Sequence, residues 1–308
     1  FFYLFEQTNH QVEPDMTKPV IGFIGLGLMG GNMVENLQKK GYELIVMDLN
    51  EEAVARVIAR GNAAEASSAK ELAAASDIVM LCLTTSEVVE KIVYAEDGIL
   101  AGIREGAVLI DFGTSIPAST RKIGADLAAK GAGMIDAPLG RTPAHAKDGL
   151  LNIMASGDRA TFDKVKPVLD EQGENVFYLG ALGAGHTTKL INNFMGMTTV
   201  ATMSQAFAVA DLAGVDRQQL WEIMSTGPSM SPFMQFCKNY AVDGVSDLGC
   251  SINNANKDLG YFLAMVDDLG TESRIAEGTS TYLQAAVDAG LGDGNVPEIL
   301  DYFLKLEK

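Results

Sequence analysis

The sequence predicts a doubly wound α/β domain followed by an all-helical domain, and three observations carry that prediction. From Pro19 to about residue 180, short apolar runs alternate with helix-type patterns. Those runs are continuous rather than alternating in hydrophobicity, as strands buried on both faces of a parallel sheet should be. Beyond residue 180 the strand pattern stops and only helical periodicity continues.

In chain order the strand runs are "VIGFIG", "ELIVMD", "DIVMLCL", "AVLID", "GMIDAP", "LNIMAS" and "NVFYL". Helices are expected between them at 27–40, 51–60, 68–75, 86–94, 117–130 and 158–172. Such alternation builds βαβ units and a mostly parallel sheet with helices on both sides. The stretch "HTTKLINNFMGMTTVATMSQAFAVADLAG", 186–214, reads as one long helix rich in Ala and Met. Further helical patterns lie at 216–225, 254–269, 274–289 and 296–306. The expected division is 19–180 for the sheet domain and 181–308 for the helical domain, which would also carry oligomer contacts. The opening stretch, 1–18, is apolar for only five residues and lacks both a basic n-region and a small-residue cleavage site. It reads as an extension or expression remnant, with Met16 as the expected native start.

Charge narrows the partners. Lys and Arg number 23 against 40 Asp and Glu, a net charge of −17. That field repels nucleic acid and anionic membrane surfaces, so an anionic small molecule would need local cations to hold it. No stretch reaches the length of a transmembrane helix. The cysteines, Cys82, Cys237 and Cys250, are few and odd in number. They read as reduced thiols of a cytoplasmic protein rather than a disulfide framework.

"VIGFIGLGLMGGNM" spaces Gly25, Gly27 and Gly30 as G-x-G-x-x-G between the first strand and the first helix. The first glycine permits the tight turn, the second lets backbone approach a pyrophosphate, and the third lets helix pack on sheet. Leu26, Leu28 and Met29 supply the intervening backbone, and the helix N-terminus offers free N–H groups to phosphate. A glycine-rich turn alone is common; here it has the strand–turn–helix context of a Rossmann-type domain, and the second strand ends in Asp48 about twenty residues on. An acid there accepts hydrogen bonds from an adenosine ribose and repels a 2′-phosphate, which favours NAD over NADP as cofactor.

The long helix opens with "KLINNF". Lys189 and Asn193 are four apart and share a face, with Asn192 beside them. A lysine near a helix N-terminus opposes the dipole, which lowers an amine's pKa and suits proton transfer. Helix physics alone leaves this open against a solvated lysine at a domain junction. Lys257 and Asp258, in "NANKDLGYFLAM", read on the same basis as a solvated helix face. Of the histidines, His10 lies in the extension, and His145 and His186 have no convincing acidic partner along the chain. No Cys/His cluster has metal-ligand spacing, so no metal is expected.

Taken together, these segments resemble the β-hydroxyacid dehydrogenases, the family of 3-hydroxyisobutyrate dehydrogenase and tartronate semialdehyde reductase, from about Val20 to about Leu300. "GFIGLGLMGGNMVENL" resembles the family's cofactor signature, and "DFGTSIPAST" its D-x-S-T segment followed by proline. "DAPLGRT" stands where the family usually has D-A-P-V-S-G-G, "KLINNF" resembles the catalytic helix, and "NKDL" the late Lys–Asp motif. The resemblance implies an active site between the two domains, with Lys189 as the catalytic lysine and Asn192 and Asn193 orienting substrate. It implies Lys257 closing the site, and Thr84, Thr114 and Asp258 beside the cofactor. Hydride would pass between the nicotinamide and the carbon bearing oxygen, with Lys189 donating or accepting the proton.

Departures from the family pattern bear on the substrate. Gly113 replaces the serine before Thr114, and Gly140, Arg141 and Thr142 replace the serine and two glycines. That turn resembles the subset typified by sulfolactaldehyde reductase, in which G-R-T grips a sulfonate. Pro143 replaces a polar residue common in that subset, and Gly196 lacks the hydroxyl expected seven positions past Lys189. An arginine suits a tetrahedral or a planar anion, so sulfonate and carboxylate both remain open. The expected function is an NAD-dependent semialdehyde-acid reductase, reversible as a 3-hydroxyacid dehydrogenase and acting as a homodimer or homotetramer. Sulfolactaldehyde is the sharpest substrate reading, with succinic or tartronate semialdehyde the alternative. A 6-phosphogluconate dehydrogenase shares the superfamily but normally has a longer helical domain. A non-catalytic NAD-binding sensor is the competing class, and it has no need of a proton-donating lysine.

Overall fold

Strand β1 (Ile21–Ile24) runs into helix α1 (Leu28–Lys39), and the chain returns through β2 (Leu44–Met47), α2 (Glu51–Ala59) and β3 (Ala63–Glu65). It then crosses by α3 (Ala69–Ala75) to β4 (Ile78–Leu81) on the other side of β1. Helices α4 (Ser86–Tyr94) and α5 (Ile99–Gly102) lead to β5 (Val108–Asp111), and α6 (Pro117–Ala128) to β6 (Gly133–Asp136). After β7 (Leu139–Gly140) and α7 (Pro143–Lys147) come β8 (Leu151–Gly157), α8 (Arg159–Gln172) and β9 (Gly173–Tyr178). These ranges come from a computed structural model, which describes residues 18–228 and 230–305. The opening extension and His10 lie outside the described residues.

The strand order is β3-β2-β1-β4-β5-β6-β8-β7, with β9 against β8. The first six strands are mutually parallel. β8 joins β6 antiparallel, through Ile135–Gly157 and Asp136–Ser156. The chain reverses direction around β1 and β4, which leaves a crevice beyond their C-terminal ends where sheets of this kind bind ligands.

Side-chain alternation explains the unbroken apolar runs. Phe23, Met80 and Ile110 enter the layer under α1 and α8, with Met33, Leu37 and Val165. Val79, Leu81 and Leu109 enter the opposite layer, with Leu72, Val93 and Leu127. Each central strand is therefore buried on both faces, and period-2 patterning is lost.

The remaining chain is helical: α9 (Ala184–Leu212), α10 (Arg217–Ser225), α11 (Pro232–Ala241), α12 (Ile252–Asp268), α13 (Arg274–Ala286) and α14 (Ile299–Lys305). Leu190, Val200 and Phe207 of α9 form the spine of its core, with Met234, Phe262 and Leu283 around them. The sequence reading missed β3, β7, α5, α7 and α11. Four of these are five residues or shorter, and the fifth starts at Pro232, a residue that ends most helical patterns but is well placed at a helix's first position. The 274–289 pattern ends sooner than expected: α13 stops at Ala286, and Gly290, with a φ of 82°, breaks the turn that follows. No helix among the described residues is long and apolar enough to cross a membrane.

Candidate active site

The glycine turn leaves β1 at Gly25, whose φ is 98°. A Cβ on Gly30 would lie 1.9 Å from the Gly25 carbonyl oxygen, so α1 packs on the turn without room for any side chain. A Cβ on Gly27 would meet nothing within 4 Å. Backbone thus faces open space at the one position where a phosphate has to approach it. Met29 turns inward against the core, while Leu28 is 84% exposed beside the turn.

Asp48 stands just past β2 and closes this cradle. Its Oδ2 accepts the Leu26 N–H, and Oδ1 accepts the Asn50 N–H at 2.8 Å. A carboxylate has roughly four lone-pair sites, so two remain for ribose hydroxyls. The cavity that Gly27, Leu28 and Asp48 line also has Arg56 and Arg60 on its wall. Arg60 is engaged with Gln38 at 2.9 Å and lies 3.7 Å from Glu35. The open Gly27 backbone, the exposed Leu28 and the unspent acceptors of Asp48 fit a dinucleotide.

Lys189 lies in the second turn of α9. Its Nζ donates to the Leu139 carbonyl of β7 at 2.7 Å, so β7 and α9 meet at the amine. Burial pushes this amine below the ordinary lysine value; Asp258 and Cys250 oppose the shift, and Lys257 adds to it. One turn on, Asn193 is nearly buried and its Nδ2 donates to Asp258 Oδ2 at 2.6 Å. Asn192 Nδ2 reaches Asn193 Oδ1 at 3.4 Å. Gly196 has no side chain because Phe233 occupies the space: a Cβ there would be 2.6 Å from its ring.

Lys257 and Asp258 are not a solvated face. Lys257 Nζ lies 2.9 Å from Asp258 Oδ1 and donates to the carbonyls of Thr84 at 2.8 Å and Thr114 at 3.5 Å. One side chain therefore ties α12 to the turns after both β4 and β5. Tyr261, one turn further, accepts the Ser86 N–H and donates to Glu87, each at 3.0 Å.

Arg141 is placed differently from the others. Gly140 pairs with Asn152 across β7 and β8, beside the strand residue that holds Lys189. The Arg141 guanidinium, however, donates to the Leu150 carbonyl at 2.7 Å and forms an ion pair with Glu174. Its φ is 75°, a left-handed backbone that costs a non-glycine residue roughly 1–2 kcal/mol. Thr142 precedes α7 and its hydroxyl lies 2.8 Å from His145 Nδ1. The loop rests on α1, through Asn32 to the Pro143 carbonyl at 3.0 Å and Glu35 to Lys147 at 3.1 Å.

His186 corrects the sequence reading, which gave it no acidic partner. It is fully buried in the first turn of α9, 3.7 Å from Asp111 Oδ2 and 3.8 Å from Asp136 Oδ2. Those aspartates end β5 and β6, so only strand order brings them to the histidine. No group of three or more metal-ligating side chains occurs among the described residues.

A cavity at Gly27 and Asp48 that fits a dinucleotide, with a buried lysine on the helix packed against β7 and β8, suits an oxidoreductase that uses NAD or NADP. Residues 20–180 match the NAD binding domain of 6-phosphogluconate dehydrogenase. Residues 183–303 match the segment described as NAD-binding of NADP-dependent 3-hydroxyisobutyrate dehydrogenase. The chain is 33% identical to 2-(hydroxymethyl)glutarate dehydrogenase of Eubacterium barkeri, over 79% of this chain and 81% of that one. It is 30% identical to 3-sulfolactaldehyde reductase of Escherichia coli strain K12, over 91% and 94%. The crystal structure of 3-hydroxyisobutyrate dehydrogenase from Salmonella typhimurium superposes with a TM-score of 0.81 at 26% identity, covering 92% of this chain and 99% of that one. The chain belongs to the β-hydroxyacid dehydrogenase family.

Proposed function

We propose that this protein is an NAD-dependent reductase of a short semialdehyde acid, working in reverse as a 3-hydroxyacid dehydrogenase. The observation that carries the reading is the desolvated Lys189 amine, held by the Leu139 carbonyl with Asn193, Asp258 and Lys257 around it, in a chain whose first strand ends in a dinucleotide-type glycine turn. When bound, the cofactor supplies or takes the hydride. Lys189 gives its proton to the alkoxide oxygen during reduction and holds that oxygen's proton during oxidation. Asn193 gives one amide N–H to Asp258, which leaves its second N–H to orient a substrate carbonyl and one lone pair of its oxygen, the other facing Asn192, to orient a substrate hydroxyl. Leu139 fixes the amine from the other side, so the proton donor needs little reorganisation. Asp48 supports NAD over NADP because its carboxylate would face a 2′-phosphate. The test is NADH and NADPH oxidation by the full chain with sulfolactaldehyde, succinic semialdehyde and tartronate semialdehyde. Turnover that prefers NADH is expected; tight NADH binding with no turnover of any aldehyde would instead favour a sensor.

Arg141 is the proposed grip for the anionic tail, and it would change partners to serve. Glu174 is 51% exposed in the pair, and ion pairs this open contribute about 0–1 kcal/mol. A substrate anion in a drier site competes for the guanidinium on favourable terms. The strained backbone at Arg141 is consistent with a residue kept for its side chain rather than its turn. Glu174→Gln is expected to lower KM for the anionic aldehyde about threefold and Arg141→Ala to raise it at least about tenfold, as loss of a charge-assisted bond should. Equal KM values in both variants and wild type would leave Arg141 a surface residue. The E. coli relative at 30% identity is a 3-sulfolactaldehyde reductase by name, which makes a sulfonate tail the first to try.

A further inference from the structure

Six polar side chains are buried where β5, β6 and β8 end against the start of α9: Asp111, Ser115, Thr120, Asp136, Ser156 and His186. Asp136 caps α9 from outside the helix, accepting the N–H groups of Gly183 at 2.8 Å and His186 at 2.7 Å and the Ser156 hydroxyl. Asp111 holds the turn that carries Thr114, accepting the Gly113 N–H at 2.8 Å and the Ser115 hydroxyl at 2.7 Å. The His186 ring lies between the two carboxylates. Its Nδ1 is 2.8 Å from Thr120 Oγ1, and that hydroxyl reaches on to the Ile116 carbonyl at 3.2 Å. Its Nε2 is buried and makes no hydrogen bond.

Leaving a ring nitrogen buried and unpaired is destabilising, and an apolar side chain of similar size would avoid that. The histidine therefore does something that packing does not require. We propose that His186 is a positioning residue: by joining α6 to the first turn of α9, it fixes where that helix sets the Lys189 amine against the Leu139 carbonyl. The proposal rests on Lys189 being the proton donor. His186 is wholly inaccessible, so it acts through its neighbours and touches no substrate. Lys189 lies three residues further along α9, about 4.5 Å up the helix, so a displacement of the first turn reaches the amine undiminished. The hydroxyl of Thr120 is the link by which the ring reaches α6, the helix that follows the turn bearing Thr114.

The experiment compares His186→Ala, His186→Asn and Thr120→Val with wild type in the full chain. Asparagine places a polar atom where Nδ1 stands, and valine removes only the Thr120 hydroxyl. The probe reaction is succinic semialdehyde reduction by NADH, with NADH affinity measured separately by fluorescence. Both His186→Ala and Thr120→Val are expected to lower kcat about 100-fold with NADH affinity unchanged, as a misplacement near 1 Å does. His186→Asn should restore most of the loss, and the double variant His186→Ala/Thr120→Val should be no worse than either single one. Additive losses, or an asparagine variant no better than alanine, would overturn the proposal. Should wild type turn nothing over, the functional reading fails, and backbone hydrogen exchange of residues 183–190 decides instead. Faster exchange in the alanine and valine variants, reversed by asparagine, upholds the link; equal rates in all four proteins refute it.

Discussion

Lys189→Ala is expected to cut turnover about 10³-fold while NADH affinity stays near that of wild type, the loss typical of a removed general acid. The amine contacts the Leu139 carbonyl and lies beside Asp258 and Lys257, remote from the Gly27–Asp48 cradle that would hold the dinucleotide's phosphates and ribose. The pH dependence gives an independent signature. Burial holds the Lys189 pKa below the ordinary lysine value, and reduction consumes the protonated form. Reduction should therefore slow as pH rises through that lowered pKa, while oxidation, which needs the free amine, should quicken over the same interval. Lys189→Arg should flatten both limbs, since a guanidinium keeps its proton throughout. Steady-state rates in both directions, followed with pH below the ordinary lysine value, check this. An unaltered profile in the arginine variant would remove Lys189 from proton transfer.

Gly30→Ala should be among the most damaging added methyls at the described glycines. The new carbon would stand 1.9 Å from the Gly25 carbonyl oxygen, which is backbone and belongs to the turn itself. It would also meet Cys82 Cβ at 3.1 Å just past β4, so relief would require α1 to lift away from both the turn and the sheet. Overpacking of this kind costs about 1–3 kcal/mol where side chains can yield, and here the obstacle is main chain, so a loss of at least about 3 kcal/mol is expected. NADH affinity should fall with it, because retreat of α1 carries away the N–H groups that face phosphate. Gly27→Ala, by contrast, meets nothing and should leave stability near wild type while still weakening NADH. Chemical denaturation and NADH titration of the two variants separate these outcomes.

The strands of the central sheet were legible because each is buried on both sides, which writes an unbroken apolar run into the chain. The glycine turn and Asp48 were legible for a related reason: they are local, and their spacing is set by one βαβ unit. The short β7 was not, although its Leu139 carbonyl is what holds the Lys189 amine. Two residues offer no periodicity to read. Lys257 and Asp258 looked like a solvated helix face, because the carbonyls that Lys257 meets come from turns more than 140 residues away and the Asn193 amide that Asp258 accepts comes from another helix. His186 was misjudged on the same ground: its carboxylates sit at strand ends that become neighbours only in the folded sheet. Arg141 stood out in the sequence as a charge without a local reason, yet its Glu174 partner, on the far strand β9, could not be read from the loop.

The hold of α1 on the loop after β7 has a consequence for interpreting variants. Asn32 and Glu35 face Pro143 and Lys147 on one flank, while the same helix begins at the glycine turn. A substitution on that flank perturbs the loop bearing Arg141 and the phosphate cradle together. Steady-state parameters of such variants will not sort into those of one ligand or the other, and a saturation scan would show α1 as a single tract in which both Michaelis constants move in concert.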